Sequence, residues 1–445
     1  MSSSALMAVA LAVASAGDFW AGSRWLSVPN APEASEADRK ASLSAPGTSW
    51  FVRPFVNRTD LRKATWTVTG LGVFEAYVNG RPVGADFLKP GFTTWNRTKY
   101  SFTYDVTDLM ETGRGVTNWL SAEVSSGWWR DQIVRYAGRK SAFRGVLEVE
   151  WADGSAERIV TDETSWRAGV GGPVVRAGIF DGETFDARVA RPFRGGDGFG
   201  RPEANAEFAG EILPSAGGEV TLRRDLALRR GPYVLRKGET LVVDFGQNHS
   251  GVPEFVFSAA AGTTLTCLPG EMLNDADAGV RGCDGPKGSV YRANLRIPET
   301  GMRLVYTFAG GGVERYLPRF TFFGYRYLSL TATDEVRIES VTSLPVTSVT
   351  AAMESGRIET GVADVNRLVS NVRWGQLSNY LSVPTDCPQR NERLGWAGDT
   401  QVFGEAGAYL ARTAPFLRKW LRDLRDNQSE DGGFTSTAPV AVTER

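Results

Sequence analysis

The stretch from Asp386 to Asp399, DCPQRNERLGWAGD, holds three carboxylates, two guanidiniums and an indole within fourteen residues. The carboxylates are Asp386, Glu392 and Asp399; the cations are Arg390 and Arg393; the indole is Trp396. This set suits a polyhydroxylated, uncharged ligand. Carboxylates accept hydrogen bonds from hydroxyls, and arginine donates them in a fixed fork. Tryptophan offers an apolar face to the C–H side of a sugar ring. One of the carboxylates can also serve as a general acid.

A plainer reading competes. Arg390 and Arg393 would neutralise Asp386, Glu392 and Asp399 and fix a salt-bridged turn between helices. Against it, the cluster sits in a Pro-flanked loop with Gly395, Trp396 and Gly398, and such loops commonly carry function. From chemistry alone the two readings are level. A general acid at Glu392 must hold a proton near neutral pH. Close arginines oppose that; ionised aspartates and burial against Trp396 favour it. The acid role therefore predicts that the arginines pair mainly with the aspartates. Arg390 forked onto Glu392, with both aspartates remote, would count against it.

The elements around the motif are legible. From Val362 the period is helical, with Val365, Leu368, Val369, Val372, Leu377 and Leu381 roughly on one face. Pro384 and Pro388 then force a loop. A second helix is expected over Thr400 to Leu410 and a third over about Pro415 to Asn427, where Phe416, Trp420 and Leu424 recur at helical spacing. Gly432-Gly433 marks the loop beyond. Upstream, from Phe51 to about Val341, the chain reads as β. Apolar and polar positions alternate in Ala64 to Thr69 and in Phe74 to Val78, and Asn79-Gly80 follows at once as a hairpin turn. Asp153-Gly154 and Asp181-Gly182 mark further turns. Later strands are expected at Leu241 to Phe245, Val252 to Phe257 and Arg326 to Thr331. Many short strands with Gly-rich turns mean antiparallel sandwiches. A Gly/Pro/Ala-rich stretch from Gly195 to Gly218 reads as a boundary between two β units.

Composition bounds the possibilities. At 445 residues, two or three domains are expected. A formal net charge of −1 argues against a nucleic-acid or polybasic membrane binder. No segment is long and apolar enough to span a bilayer. The three cysteines, Cys267, Cys283 and Cys387, form no metal-binding spacing and allow one disulfide. A single histidine, His249, rules out His-rich metal sites and weighs against a Ser-His-Asp triad. The apolar run Ala5 to Ala14, followed by Ala14-Ser15-Ala16, resembles a signal segment, but no Lys or Arg precedes it. A secreted or extracytoplasmic location is expected, with a cytoplasmic one as the alternative.

Other stretches carry less. Gly127-Trp-Trp-Arg-Asp131 could line a sugar site, although one Trp in the core is the favoured reading. Asp244-Phe-Gly-Gln-Asn248 reads as a turn ending a strand. Asn57-Arg-Thr59 and Asn96-Arg-Thr98 match a glycosylation pattern that is too short to weigh much.

The 386–399 motif resembles the signature of bacterial α-L-rhamnosidases of glycoside hydrolase family 78. The resemblance extends upstream. Val68-Thr-Gly-Leu-Gly72, Tyr77-Val-Asn-Gly80, Leu88-Lys-Pro-Gly91, Tyr104-Asp-Val-Thr107, Gly127-Trp-Trp-Arg130 and Gly182 to Arg188 look like that family's N-terminal sandwich. Asp244 to Asn248, Gly270-Glu-Met-Leu-Asn274 and Phe323-Gly-Tyr-Arg-Tyr327 resemble its second sandwich. The fold implied is multidomain β plus α: two antiparallel β-sandwiches, then the opening helices of an incomplete (α/α)6 barrel. The divisions are 1–49 as an N-terminal segment, 50–205 as the first sandwich, 206–353 as the second and 354–445 as the start of the catalytic domain.

The resemblance implies inverting hydrolysis of terminal α-L-rhamnose from a glycoside or polysaccharide. Glu392 matches the general acid; Asp386, Arg390, Trp396 and Asp399 match residues lining the rhamnose pocket. No metal ligand and no cofactor are assigned, apart from a Ca²⁺ that some relatives use in the first sandwich; no ligand loop for it stands out here. The family's base is a glutamate late in the barrel, beyond Arg445. The chain thus looks C-terminally truncated and is expected to be inactive alone. Two alternatives are a noncatalytic carbohydrate-binding β-sandwich protein and a different (α/α)-barrel hydrolase or lyase.

Overall fold

The computed structural model describes residues 19–40, 43–130, 138–276, 282–296 and 301–440. The apolar run at Ala5 to Ala14 lies outside them. A smaller sheet carries the strands Leu61–Leu71, Thr98–Asp105 and Ala142–Trp151, with shorter strands at its edges. A long sheet begins with Pro46–Val56, Phe74–Val78, Thr117–Val124 and Arg167–Gly178, and the two pack face to face. Period-2 alternation explains this. Ala64, Trp66 and Val68 meet Phe51, Phe74 and Phe143 in one core, each side chain worth roughly 1.5–3 kcal/mol on burial. The hairpin at Asn79-Gly80 forms with both residues left-handed (φ 52° and 78°), which the tight turn demands.

The strand Gly182–Asp186 links the two β units. It pairs antiparallel with Arg167–Gly178 and parallel with Arg303–Thr307, so the long sheet runs on without a break into Thr264–Gly270, Phe323–Ala332, Leu241–Ala259 and Val336–Thr347. Glu183 on this strand is buried. Its carboxylate accepts from the Tyr316 hydroxyl at 3.0 Å and from the backbone N–H groups of Arg319 and Phe320. Glu211–Pro214 also pairs parallel, with Thr98–Asp105. The remaining strand pairings described are antiparallel.

Several expectations need correction. Asp244-Phe-Gly-Gln-Asn248 does not end a strand. Leu241–Ala259 is one strand with an irregularity between Asp244 and His249, held by Gly246 at φ 81° and by Arg326 forked onto Asp244. All three cysteines are free, so the allowed disulfide does not form. Both Trp128 and Trp129 are buried: Trp128 stacks on Phe92, and Trp129 donates to the Lys140 carbonyl, so neither offers an open sugar face. Asn57 is buried with its amide bonded to the Glu111 carbonyl, which leaves no room for a glycan. His249 is a core residue; its Nε2 lies 2.7 Å from the Ser343 hydroxyl, and burial pushes its pKa down to about 4.

Three longer helices follow: α1 (Ala363–Asn379), α2 (Ala397–Leu410) and α3 (Ala414–Asp426). Their bounds lie within three residues of the expected ones. α1 buries only Gln376, Leu377 and Ser378, while Leu368 on the expected apolar face is 61% exposed and Val402 on α2 is 84% exposed. α3 buries Phe416 and Trp420. β sheets followed by helices that match the start of a helical barrel are thus the architecture. No helix among the described residues is long and apolar enough to cross a membrane.

Candidate active site

The motif runs through the loop between α1 and α2 into the first turn of α2, and both β units hold it. After α1 the chain folds back sharply, Tyr380–Leu381 pairing with Val383–Pro384 around Ser382 at φ 63°. The Ser382 hydroxyl accepts from the Phe92 backbone N–H at 2.8 Å. A Cβ on Gly91 would lie 2.7 Å from that oxygen, so the segment Leu88 to Gly91 needs glycine at this contact. From the other side Gly324 lets the loop lie flat: a Cβ there would come within 2.9 Å of the backbone of Pro388 and Gln389. Arg393 is the bolt. It is buried and left-handed (φ 57°), and its Nη1 donates to the carbonyls of Ile179 at 2.9 Å and Phe322 at 3.0 Å. Its guanidinium covers the Phe322 ring, 4.3 Å from the centroid.

Within the loop Asp386 and Leu394 bind each other. The Asp386 N–H donates to the Leu394 carbonyl, and the Leu394 N–H donates to Oδ1 of Asp386, both at 3.0 Å. Burial raises the pKa of Asp386, against the Cys387 thiol and the Leu394 N–H, which favour the charged form. Glu392 stands at the centre. Arg390 donates to its Oε2 from Nε at 2.9 Å, with Nη2 at 2.7 Å, and the Trp396 indole donates to Oε1 at 3.0 Å. Arg390 also reaches Asp386 Oδ2 at 3.5 Å. Trp396 and Glu392 meet because the backbone turns just ahead of α2, where Trp396 is the N-cap.

The expected pairing of arginines with aspartates is therefore not found. Arg390 goes mainly to Glu392, and Arg393 goes to neither aspartate. Arg393 is turned away by its left-handed backbone, toward the carbonyl of Phe322 and that of Ile179, which also accepts from the Thr321 hydroxyl at 3.3 Å. The stated condition against the acid role is met only in its first half, since Asp386 is not remote.

A cavity of about 510 Å³ opens beside the loop, lined by Asp386 and Asp399 together with Asn379, Tyr380, Thr385 and Phe403. Asp399 is exposed in the first turn of α2, where the helix dipole favours a carboxylate. Asp386 borders both the cavity and the Arg390–Glu392 pair, so four of the five candidate residues form one connected group, and Asp399 shares the cavity with Asp386.

Three further residues come close. Arg296 Nη1 lies 3.9 Å from Glu392 Oε2. Glu271 accepts from the Asn248 amide at 2.9 Å, and Arg390 is near enough to pull its pKa down while burial, the larger effect, pushes it up. Chain spacing alone does not bring residues 248, 271 and 296 to residue 392. The available signal was the pair of second-sandwich segments, Asp244 to Asn248 and Gly270 to Asn274. Asp386, Cys387 and Glu392 also place ligand atoms within 4.8 Å of one another. Burial pushes the Cys387 thiol up to about 12, and Arg390 already supplies positive charge, so this group is ill suited to a hard cation such as Ca²⁺.

Comparison with known proteins gives three successive matches. Residues 59–195 match the alpha-L-rhamnosidase N-terminal domain, 235–347 the bacterial alpha-L-rhamnosidase concanavalin-like domain, and 353–444 the bacterial alpha-L-rhamnosidase 6 hairpin glycosidase domain. The chain belongs to the bacterial α-L-rhamnosidases. An alpha-L-rhamnosidase of Streptomyces avermitilis is 39% identical over 389 residues, which are 85% of this chain and 36% of that protein. One from Formosa agariphila is 30% identical over 94% of this chain and 44% of its own length. The crystal structure of the S. avermitilis rhamnosidase complexed with L-rhamnose superposes with a TM-score of 0.77 at 36% identity, covering 89% of this chain and 38% of that one. The native Aspergillus terreus rhamnosidase gives 0.77 at 25% identity, covering 92% of this chain and 46% of its own. The chain thus spans between 36% and 46% of the length of these rhamnosidases. All five candidate residues lie in the part that matches the six-hairpin glycosidase domain.

Proposed function

We propose that this site cleaves terminal α-L-rhamnose from rhamnosides, with Glu392 as the general acid. The observation that carries the reading is the setting of Glu392. Its carboxylate is held between the Trp396 indole and the Arg390 guanidinium, next to a cavity bordered by Asp386 and Asp399. A sugar of 6-deoxy type offers hydroxyls to the two aspartates and Arg390, and Trp396 offers an apolar surface. Rhamnose hydroxyls would give Arg390 other acceptors, loosening its fork on Glu392. A proton on Glu392 then passes to the glycosidic oxygen as the C–O bond breaks. Water attacks the opposite face of the sugar carbon and gives its proton to a second carboxylate, which inverts the configuration. Inversion needs the two carboxyl groups roughly 6.5–9.5 Å apart. On this reading the second carboxylate comes from outside the segment 353–444, which supplies the acid and the aspartates beside it.

Two experiments test the reading. The purified 445-residue chain is expected to show negligible turnover of an aryl α-L-rhamnoside, and clear turnover would refute the assignment of the base to later helices. In a form extended through the six-hairpin domain, Glu392→Gln is expected to lower kcat by ~100-fold or more while rhamnose still binds. A variant that keeps its kcat would remove Glu392 from the acid role.

A further inference from the structure

Glu392 is approached from two sides by different parts of the fold. On the helical side, Asp386 and Asp399 line the cavity. Outside that lining stand residues of the second β unit. The irregularity at 244–249 presents Asn248, whose amide holds the Glu271 carboxylate at 2.9 Å, and the Arg326–Asp244 fork fixes that irregularity. Arg296 is exposed and reaches to 3.9 Å from Glu392.

We propose that Glu271 and Arg296 form the leaving-group side of this site and recognise a sugar joined to rhamnose through the bond being cleaved. The inference rests on the reading of Glu392 as the acid. An acid that protonates a glycosidic oxygen stands at the boundary between the two halves of its substrate. With rhamnose in the cavity beside Asp386 and Asp399, the groups of the second β unit, which lie outside that lining, are left for the other half. Those groups are a carboxylate, an amide and a guanidinium. They match hydroxyls, as donors and acceptors, better than they match a flat apolar ring. Arg296 also sits on the same Glu392 oxygen as Arg390, so a leaving group that engages it draws a second cation away from the acid.

The test measures binding to the 445-residue chain of two probes, methyl α-L-rhamnoside and an S-linked, non-hydrolysable rhamnosyl disaccharide. The disaccharide is expected to bind ~10-fold tighter, the value of one hydrogen bond to a charged group. Glu271→Gln and Arg296→Ala should each reduce that ratio to ~3 or less, and Arg296→Lys should restore part of it. The ratio separates lost contact from damaged folding, because misfolding weakens both probes together. Equal binding of the two probes, or a preference that both variants retain, overturns the inference and leaves the rhamnose reading standing. If the wild-type chain binds neither probe, the rhamnose reading fails and the inference with it.

Discussion

At the scale of single residues, function depends on what holds each carboxylate. Both oxygens of Glu392 accept hydrogen bonds, one from Arg390 and one from Trp396. Trp396→Phe keeps an apolar ring but removes the donor to Oε1. In the extended form it is expected to lower kcat by ~10-fold with a smaller change in KM, since the bond orients the acid rather than the sugar. A rise in KM alone would make Trp396 a binding surface only. The residue types were legible in the sequence because a sugar site needs acceptors, donors and an indole in one short stretch. Their pairing was not. Which carboxylate an arginine reaches depends on the local backbone, and the left-handed turn at Arg393 sends that side chain into the β unit. Glu271 and Arg296 escaped for a related reason: only the folded second β unit brings Arg296 to Glu392 and Glu271 near Arg390.

At the scale of elements, the loop is positioned by close backbone approach and one buried cation. Arg393→Met removes the charged donor from the Phe322 carbonyl and from the Ile179 carbonyl, which keeps the Thr321 hydroxyl, and is expected to lower the unfolding free energy by ~2 kcal/mol in denaturant titration. An unchanged midpoint would show that the loop is held elsewhere. Strand faces carry their own signature. Glu123 stands directly across from Glu75 on a buried face, and burial pushes its pKa from 4.5 up to about 8, with the Glu183 and Glu75 charges adding and Arg191 and Thr48 opposing. The folded protein therefore holds a proton on Glu123 that the unfolded chain releases, so this group's contribution to stability is lost as pH rises from about 4.5 to about 8. Glu123→Gln removes that dependence. Its melting temperature relative to wild type should climb across this window, and a constant difference would contradict the shift. The strands, the hairpin at Asn79-Gly80 and the three long helices were legible because period and turn chemistry are local. The irregularity at Asp244 to Asn248 was not, because Arg326, far along the chain, keeps the strand going past Gly246.

At the scale of the whole molecule, the helices are fastened to both β units. α3 buries Lys419 and Asp423 as an ion pair at 2.8 Å, Lys419 also bonds the Phe92 carbonyl, and Asp426 accepts from Thr98 at 2.5 Å. Lys419→Met strands the buried Asp423 and is expected to cost ~3–5 kcal/mol, with part recovered in Lys419→Met/Asp423→Leu; equal losses in both variants would mean the pair is not what docks the helix. The run of one sheet through both β units was illegible, since it depends on the parallel pairing of residues 182–186 with 303–307, more than a hundred residues apart. Leu368, on the apolar face of α1 that the sequence displays, is exposed, and so is Val402 of α2. The central claim, that Glu392 protonates the leaving oxygen, is tested most directly by kcat/KM of wild type and Glu392→Gln, in the extended form, on methyl and 2,4-dinitrophenyl α-L-rhamnosides. A dinitrophenolate leaves without a proton, whereas methanol does not. The variant should lose ~100-fold or more on the methyl glycoside and less than ~10-fold on the dinitrophenyl one; equal losses on both would contradict the acid role.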